Sequence, residues 1–194
     1  MQLHRLVQAI LRSRLAYEAK SEMGFAAVRL LRAAVPSEPW ANRATWPEWR
    51  RLLPHVPTAT DPSSDLNGED GDVAWLLDRA AAYLLDRGEQ EAAIPIGQRA
   101  LELRRRVLGE DHPQTLTSAI NLAAALRRLG QHEVARPLDE DTLARRRRIL
   151  GEDHPDTLIL ASNLAADLRA LGQHEAARQL DEDTETRRRR AAGD

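Results

Sequence analysis

The chain of 194 residues contains no cysteine, only one lysine (Lys20) and few aromatic side chains. Without cysteine it can form neither a disulfide nor a thiolate metal site. Because only 4% of the residues are aromatic, leucine, alanine, valine and isoleucine must fill the core. No apolar run reaches the ~18 residues of a spanning helix, and the first residues lack a signal-peptide pattern. These absences predict a cytoplasmic protein that has no membrane partner.

Charge is nearly balanced, with 28 lysine and arginine residues, 30 aspartate and glutamate residues, and a formal net charge of −2 at pH 7. Domains that bind duplex nucleic acid usually show a clear basic excess, so a nucleic-acid partner is not expected. No glycine-rich phosphate loop precedes Lys20, and no specific set of nucleophile, base and orienting group is present. The histidines come without a compact thiolate or carboxylate set. We therefore predict a protein that is not an enzyme and needs neither a cofactor nor a metal.

The second half of the chain repeats itself. Leu-Gly-Glu-Asp-His-Pro at 108–113 recurs 42 residues later at 150–155, and Leu-Gly-Gln-His-Glu at 129–133 recurs at 171–175. A fixed period of this size indicates stacked supersecondary units. Each unit carries two amphipathic helical patterns separated by a glycine, such as Gly130. The pattern predicts an all-α fold in which helix-turn-helix repeats stack as a right-handed α-solenoid after a small helical region.

Composition divides the chain into three parts. We predict an N-terminal helical region at 1–57, an acidic and solvated linker at 58–72, and three repeats in 73–194. The predicted repeats cover about 73–108, 109–150 and 151–194.

Three stretches of the N-terminal region predict helices, and its tryptophans predict a core. Apolar residues between Leu3 and Leu15 recur at helical spacing, and a second pattern from Phe25 to Val35 predicts a helix that ends before Pro36. Thr45-Trp46-Pro47-Glu48 fits a capping box, which predicts a short helix from there to about Leu53. Three tryptophans are interpreted as core anchors and not as a ligand cage, since large aromatic side chains mostly bury for packing. These are Trp40, Trp46 and Trp49.

The second helix of each unit raises two expectations. Pro95 and Pro137 fall four or five residues into it, so we expect this helix to start late or to bend there. The third unit differs from the others at three positions. Glu185 replaces Leu101 and Leu143, and alanine at 191 and 192 replaces the apolar pairs at 107–108 and 149–150. We expect the replaced apolar residues to pack on a following repeat. The third unit would then end the array with one face in water.

The repeated pattern resembles a tetratricopeptide repeat of the 42-residue kinesin-light-chain type. The residues that carry the resemblance are Asn121-Leu122-Ala123, Leu129-Gly130, Ala135 and Leu138, with their counterparts 42 residues later. The usual aromatic residue near the middle of the second helix is absent, where Gly97, Asp139 and Asp181 stand. The resemblance implies that the first helix of each repeat lines a concave groove that binds a protein or peptide.

An asparagine on the groove face often holds the backbone of a bound peptide in this family, and the matching positions are Asn121 and Asn163. An amide both donates and accepts hydrogen bonds, which suits an extended main chain. Arginine on this face would favour an acidic peptide or a C-terminal carboxylate. The alternative is that the two asparagines only connect neighbouring helices and bind no ligand. Spacing on the same face adds Trp75, Arg79, Thr117, Arg127, Arg128 and Arg169 to the predicted site.

A second resemblance involves the segments that precede the repeats. His4–Gln8, Ala44–Pro47, Leu52–Val56 and Val73–Arg79 look like the region that links ATPase to repeats in bacterial NB-ARC-type signalling ATPases. That family implies a preceding P-loop ATPase and a winged-helix-like segment, of which residues 1–57 would be a remnant. ATP hydrolysis is not carried over, because the P-loop is absent. The chain is thus expected to be a fragment, a split gene or a trimmed relative that serves as the sensor part of such a system.

Two other functions remain open. One is self-association, either with further copies or with a separately encoded ATPase subunit. The other is RNA binding through the arginine runs at 104–106, 145–148 and 187–190. Acidic residues precede each run on the same helix, and Asp141 and Asp183 stand four residues before Arg145 and Arg187. A solvated helix face that neutralises its own charge is therefore the preferred interpretation of the runs.

Overall fold

The computed structural model describes residues 21–37, 42–62 and 68–192, and within these ranges the regular structure is helical. The all-α prediction is confirmed. Within the same ranges, no helix combines the length and the apolar character needed to cross a membrane. The predicted helix between Leu3 and Leu15, Trp40, and linker residues 63–67 lie outside the described residues. The helices are α1 (residues 21–34), α2 (Trp46–Leu52), α3 (Val56–Ala59), α4 (Asp70–Asp86), α5 (Gln90–Leu108), α6 (Pro113–Arg128), α7 (His132–Leu150), α8 (Pro155–Ala170) and α9 (His174–Ala192).

The repeats are the helix pairs α4–α5, α6–α7 and α8–α9, and each pair turns at a glycine. Gly130 has a φ of 74°, which lies in the left-handed region that glycine adopts without a steric penalty. Pro113 and Pro155 occupy the first helical position of α6 and α8. His112 and His154 cap these helices, since each ring Nδ1 accepts the amide proton of the residue two positions later at 3.2 Å. The histidines of the hexapeptide are therefore capping residues.

The acidic residues of the repeated hexapeptide also have a structural role. Arg145 of α7 donates to Asp111 at 2.9 Å, and Arg187 of α9 donates to Asp153 at 3.0 Å. Each contact ties the end of the second helix to the loop that begins its own repeat. The recurrence of this hexapeptide thus reflects local structure and carries no ligand-binding signal.

Apolar side chains on the second helices join successive repeats, as predicted for two of the six residues. Leu101 packs with Ala119 and Leu122 of the second repeat, and Leu143 packs with Leu160 of the third.

The same prediction is wrong for Val107, Ile149 and Leu150, because each of them is more than 40% exposed. All three lie in the last turns of their helices.

The second helices do not start late. Pro95 lies inside α5 and Pro137 lies inside α7, and the two helices begin at Gln90 and His132, five residues before the prolines. Buried alanines precede both prolines, and Ala135 is fully buried. Packing of these alanines holds the first turn in place although proline removes one backbone hydrogen bond.

The N-terminal helices share a core with the first repeat. Trp49 is fully buried, and its ring stacks on Tyr83 of α4 with a centroid distance of 5.5 Å and an interplanar angle of 18°. Trp46 is half-buried and meets the same tyrosine edge-on at 6.3 Å. Both tryptophans therefore act as core anchors, as predicted.

The predicted capping box is wrong. Thr45 belongs to a 3₁₀ turn that precedes α2, and its helical backbone angles prevent the usual cap geometry. Its hydroxyl instead donates to the carbonyl of Asn42 at 2.8 Å. Asn42 provides the cap, because its side-chain oxygen accepts the amide proton of Ala44 at 3.2 Å.

The predicted linker is more ordered than its composition suggests. Residues 56–59 form α3, and α4 already begins at Asp70. Glu69 and Asp72 are not free in solvent, because they form ion pairs with Arg29 and Arg32 of α1. These pairs join α1 to the start of the first repeat.

Candidate functional site

Four of the predicted site residues line one cleft. Trp75 and Arg79 of α4 face Thr117 and Asn121 of α6 across a volume of about 290 Å³. Ser37, which follows α1, forms the wall at one end. The cleft therefore lies between the first helices of the first two repeats, where the 42-residue spacing predicted a binding surface.

A buried polar network forms the floor of the cleft. Asp78 accepts hydrogen bonds from Arg104 at 3.1 Å and from the hydroxyl of Ser118 at 2.7 Å. Arg104 also donates to the side-chain oxygen of Gln114 at 2.6 Å. Burial raises the pKa of Asp78, and the contacts from Ser118 and Arg104 oppose this rise. Because these groups satisfy one another, the floor supplies a fixed surface and no free charge.

The wall of the cleft is also held internally. The guanidinium groups of Arg32 and Arg79 lie 4.9 Å and 5.7 Å from the ring centroid of Trp75, within the range of a cation–π contact. Arg79 donates to the carbonyl of Ser37 at 3.1 Å. The aromatic ring and Arg79 thus connect α1 to the first repeat as well as lining the cleft.

The side-chain amides of the two asparagines have no hydrogen-bond partner among the described residues. Asn121 and Asn163 are both half-buried, and neither side chain forms a hydrogen bond within residues 21–37, 42–62 and 68–192. No side-chain hydrogen bond within these ranges therefore links either asparagine to a neighbouring helix. Asn121 lines the cleft, whereas Asn163 lies one repeat further along.

The other three predicted arginines contact partners inside the protein. Arg127 forms ion pairs with Asp139 and Asp167. Arg128 donates to the carbonyl of Leu85 at 2.8 Å, and Arg169 pairs with an acidic residue of α9. None of these three arginines lines the cleft.

A family model described as tetratricopeptide repeat matches residues 72–147 and, in an overlapping alignment, residues 117–190. The chain belongs to the tetratricopeptide-repeat family. A Podospora anserina protein named as a kinesin light chain with nearly identical TPR-like repeats has a similar structure, with a TM-score of 0.65 at 19% identity. That alignment covers 100% of this chain and 94% of the other. No curated protein matches the sequence.

A second similar structure is BtubC (BKLC) from P. vanneervenii, with a TM-score of 0.63 at 21% identity. The alignment covers 78% of this chain and 62% of that protein. At these identities the two structures support the fold: the first helix of each tetratricopeptide repeat is α4, α6 or α8, and the second is α5, α7 or α9.

The interface between the second and third tetratricopeptide repeats contains a charge cluster that the sequence did not reveal. Asp139 and Asp167 are fully buried, and they share the guanidinium group of Arg127. The Nδ1 atom of His132 lies 3.0 Å from Asp167. Burial raises the pKa of Asp139 to about 7, and the neighbouring carboxyl group of Asp167 adds to this rise, whereas Arg127 opposes it. The spacing of residues in the sequence does not predict this cluster, because its members come from three helices.

Ile159 is a candidate groove residue that the sequence analysis missed. It is 56% exposed on α8, although isoleucine is usually buried. Its position is 42 residues after Thr117 and 84 after Trp75, so the repeat places it in the same row as these two cleft residues. The 42-residue spacing that connects Trp75 to Thr117 also leads from Thr117 to Ile159.

Two of the arginine runs form the predicted ion pairs within their own helices. Arg145 pairs with Asp141, and Arg187 pairs with Asp183, each at 2.8 Å and in the predicted four-residue spacing. Across the described ranges, no group of three or more histidine and acidic residues has the geometry to hold a metal ion.

Proposed function

We propose that this chain is a non-catalytic, cytoplasmic scaffold that binds an extended segment of a protein partner along α4, α6 and α8. Tetratricopeptide repeats generally mediate protein–protein interactions. The observation that carries the proposal is the pair Asn121 and Asn163, which occupy equivalent positions on successive first helices and keep their amides unengaged within the described residues. The cleft beside Asn121 provides space for a side chain of the partner.

The geometry of stacked helices suits an extended peptide. Asn121 and Asn163 stand on the first helices of successive repeats, and an extended chain advances about 3.3 Å per residue. A peptide that crosses both helices would therefore present different backbone groups to the two amides. Each amide can donate to a carbonyl and accept from an N–H group, so this grip requires no particular sequence.

The predicted preference for an acidic partner rests on weaker support. The arginines on which it depends are already engaged: Arg127 is shared by two buried carboxylates, and Arg128 binds the Leu85 carbonyl. Arg79 lies at the cleft but donates to Ser37. We therefore base binding on the asparagines and assign these arginines a positioning role.

We also propose that the scaffold serves as the sensor part of a signalling ATPase system, on the resemblance of its N-terminal segments to NB-ARC-type proteins. The continuous core that includes Trp49 and Tyr83 supports this proposal, because it would transmit a conformational change in the first repeat to the N-terminal helices. An ATPase of this class should be retained with the chain when the chain is purified from its host.

Site-specific photocrosslinking tests the groove. A photoreactive amino acid at Thr117, which is exposed at the cleft four residues before Asn121 on α6, should crosslink a host protein, and the double variant Asn121→Ala/Asn163→Ala should lose the product. The same photoreactive group at Val134, which is 53% exposed on α7, is the control. Circular dichroism establishes that the variants fold. Equal crosslinking from both positions, or a product that survives in the double variant, would contradict binding through the asparagines.

Self-association is a second candidate because α1 has an exposed apolar face. Met23 is 70% exposed and Leu30 is 71% exposed, and their seven-residue spacing places them on one side of the helix. The opposite side packs into the core through Val28 and Leu31. Light scattering after gel filtration should show a dimer that Leu30→Glu converts to a monomer. A wild-type monomer at high concentration would exclude this role.

A further inference from the structure

On the first helices of the second and third repeats, one row of side chains contains no ionisable residue. Helical spacing on α6 and its 42-residue counterpart on α8 define a strip of six side chains, which we call the central strip. Its members are Thr117, Asn121, Ala124, Ile159, Asn163 and Ala166. All six are exposed or half-buried, so a ligand can reach them.

The charges that flank the central strip are bound to other parts of the protein. Arg146 donates to the backbone carbonyl of Asp156 at 3.1 Å, and its guanidinium lies 3.6 Å from the carboxylate of the same residue. Arg128 donates to a backbone carbonyl of α4, and Arg169 pairs with Asp181. The Thr117 hydroxyl also has a partner, since it donates to the Pro113 carbonyl at 2.9 Å. The polar groups that remain for a ligand are the two asparagine amides.

Ile159 gives the central strip an apolar contact point. Its side chain is 56% exposed and belongs to none of the three buried core clusters. Alanine at 124 and 166 adds little bulk beside the asparagines, so a peptide backbone can approach the helices closely. A charged side chain placed here would lose water without gaining a counter-ion, which is unfavourable. An apolar side chain would gain contact with Ile159.

We propose that the central strip binds an uncharged, extended peptide segment whose large apolar side chain packs on Ile159, an inference that rests on the proposed groove function. The asparagine amides hold the main chain of the segment, and Ile159 selects its side chain. Recognition is therefore driven by backbone hydrogen bonds and apolar contact, and long-range charge attraction plays no part in it. Binding should then depend only weakly on salt.

Peptide selection tests this proposal. Random linear peptides displayed on phage are selected on the full chain, and a selected peptide is labelled with fluorescein for anisotropy titrations. We expect selected peptides to be uncharged with a recurrent large apolar residue. The Kd should change less than about twofold between ~50 and ~500 mM sodium chloride. Ile159→Asp should weaken binding by about tenfold or more. Val134→Asp should leave the Kd unchanged, because Val134 has a similar exposure but lies on α7.

The outcomes separate this proposal from the groove function. Selected peptides that are acidic, lose affinity steeply with salt and still require Asn121 and Asn163 would overturn the uncharged segment while the groove function stands. Peptides that bind equally well to Asn121→Ala/Asn163→Ala and to Ile159→Asp would overturn both. A failure to select any peptide also counts against the proposal, because a linear segment would then not be the ligand.

Discussion

At the scale of single residues, backbone conformation and burial matter more than residue type. Gly71 and Gly130 are both open to solvent at the place where a Cβ atom would stand, since no heavy atom lies within 4 Å of it. They differ in backbone angle. Gly130 has a φ of 74° in the turn between α6 and α7, whereas Gly71 lies within the first turn of α4 and its φ is outside the left-handed region.

Substitution by alanine should separate these two glycines. We expect Gly130→Ala to lower the free energy of unfolding by about 1–2 kcal/mol, because a Cβ atom is strained at positive φ. Gly71→Ala should leave it unchanged or raise it by up to about 1 kcal/mol, because alanine favours the helix. Urea titrations monitored by circular dichroism measure both. A loss of equal size in the two variants would show that backbone angle is not the cause.

At the scale of helix packing, the junction between the second and third repeats contains a buried carboxyl group whose pKa is raised. The groups that meet there are Arg127 of α6, His132 and Asp139 of α7, and Asp167 of α8. Burial raises the pKa of Asp139 to about 7, whereas an aspartate in an unfolded chain titrates near ~3.9. The folded chain therefore binds a proton more tightly than the unfolded chain between these two values.

This linkage predicts how stability changes with pH. The contribution of protonated Asp139 is fully present below pH ~4 and is lost as the pH rises through about 7. Asn cannot titrate, so the free energy of unfolding of wild type should fall relative to Asp139→Asn by about 1–3 kcal/mol between pH ~5 and ~8. Urea titrations at the two pH values test this.

Asp181 provides the matched control for the junction. It lies 42 residues after Asp139 and pairs with Arg169 in the same way, but its side chain is 41% exposed. Asp181→Asn should therefore leave the pH dependence of wild type intact. Parallel stability curves for wild type and Asp139→Asn would show that Asp139 is not the titrating group.

At the scale of the whole molecule, the features that can be predicted from the sequence are those that the 42-residue period determines. The all-α fold, the turn at Gly130 and the cleft row of Trp75 and Thr117 follow from that period. Contacts that occur only once in the described part of the chain do not follow from the period. The shared Arg127 depends on helix packing that no spacing encodes, and Asn42 replaced Thr45 as the cap because a 3₁₀ turn precedes α2.

The N-terminal helices and the first repeat form one packing unit, and this has a measurable consequence. Trp49 is fully buried against Tyr83, and the surrounding cluster includes Leu76 and Leu77 of α4. Removal of a buried tryptophan costs about 3–5 kcal/mol. Because each repeat contacts only its neighbours, the damage should decline along the array. Trp49→Ala should therefore reduce amide hydrogen-exchange protection in α4 and α5 much more than in α8 and α9.

Hydrogen exchange followed by mass spectrometry reads this profile helix by helix. Leu143→Ala is the matched control, since Leu143 packs on the third repeat and its loss should reduce protection mainly in α7 and α8. Opposite gradients in the two variants would establish that stability is transmitted from neighbour to neighbour. If Trp49→Ala lowered protection equally in all six repeat helices, the chain would unfold as one cooperative unit. A partner bound along α4, α6 and α8 would then stabilise every repeat at once.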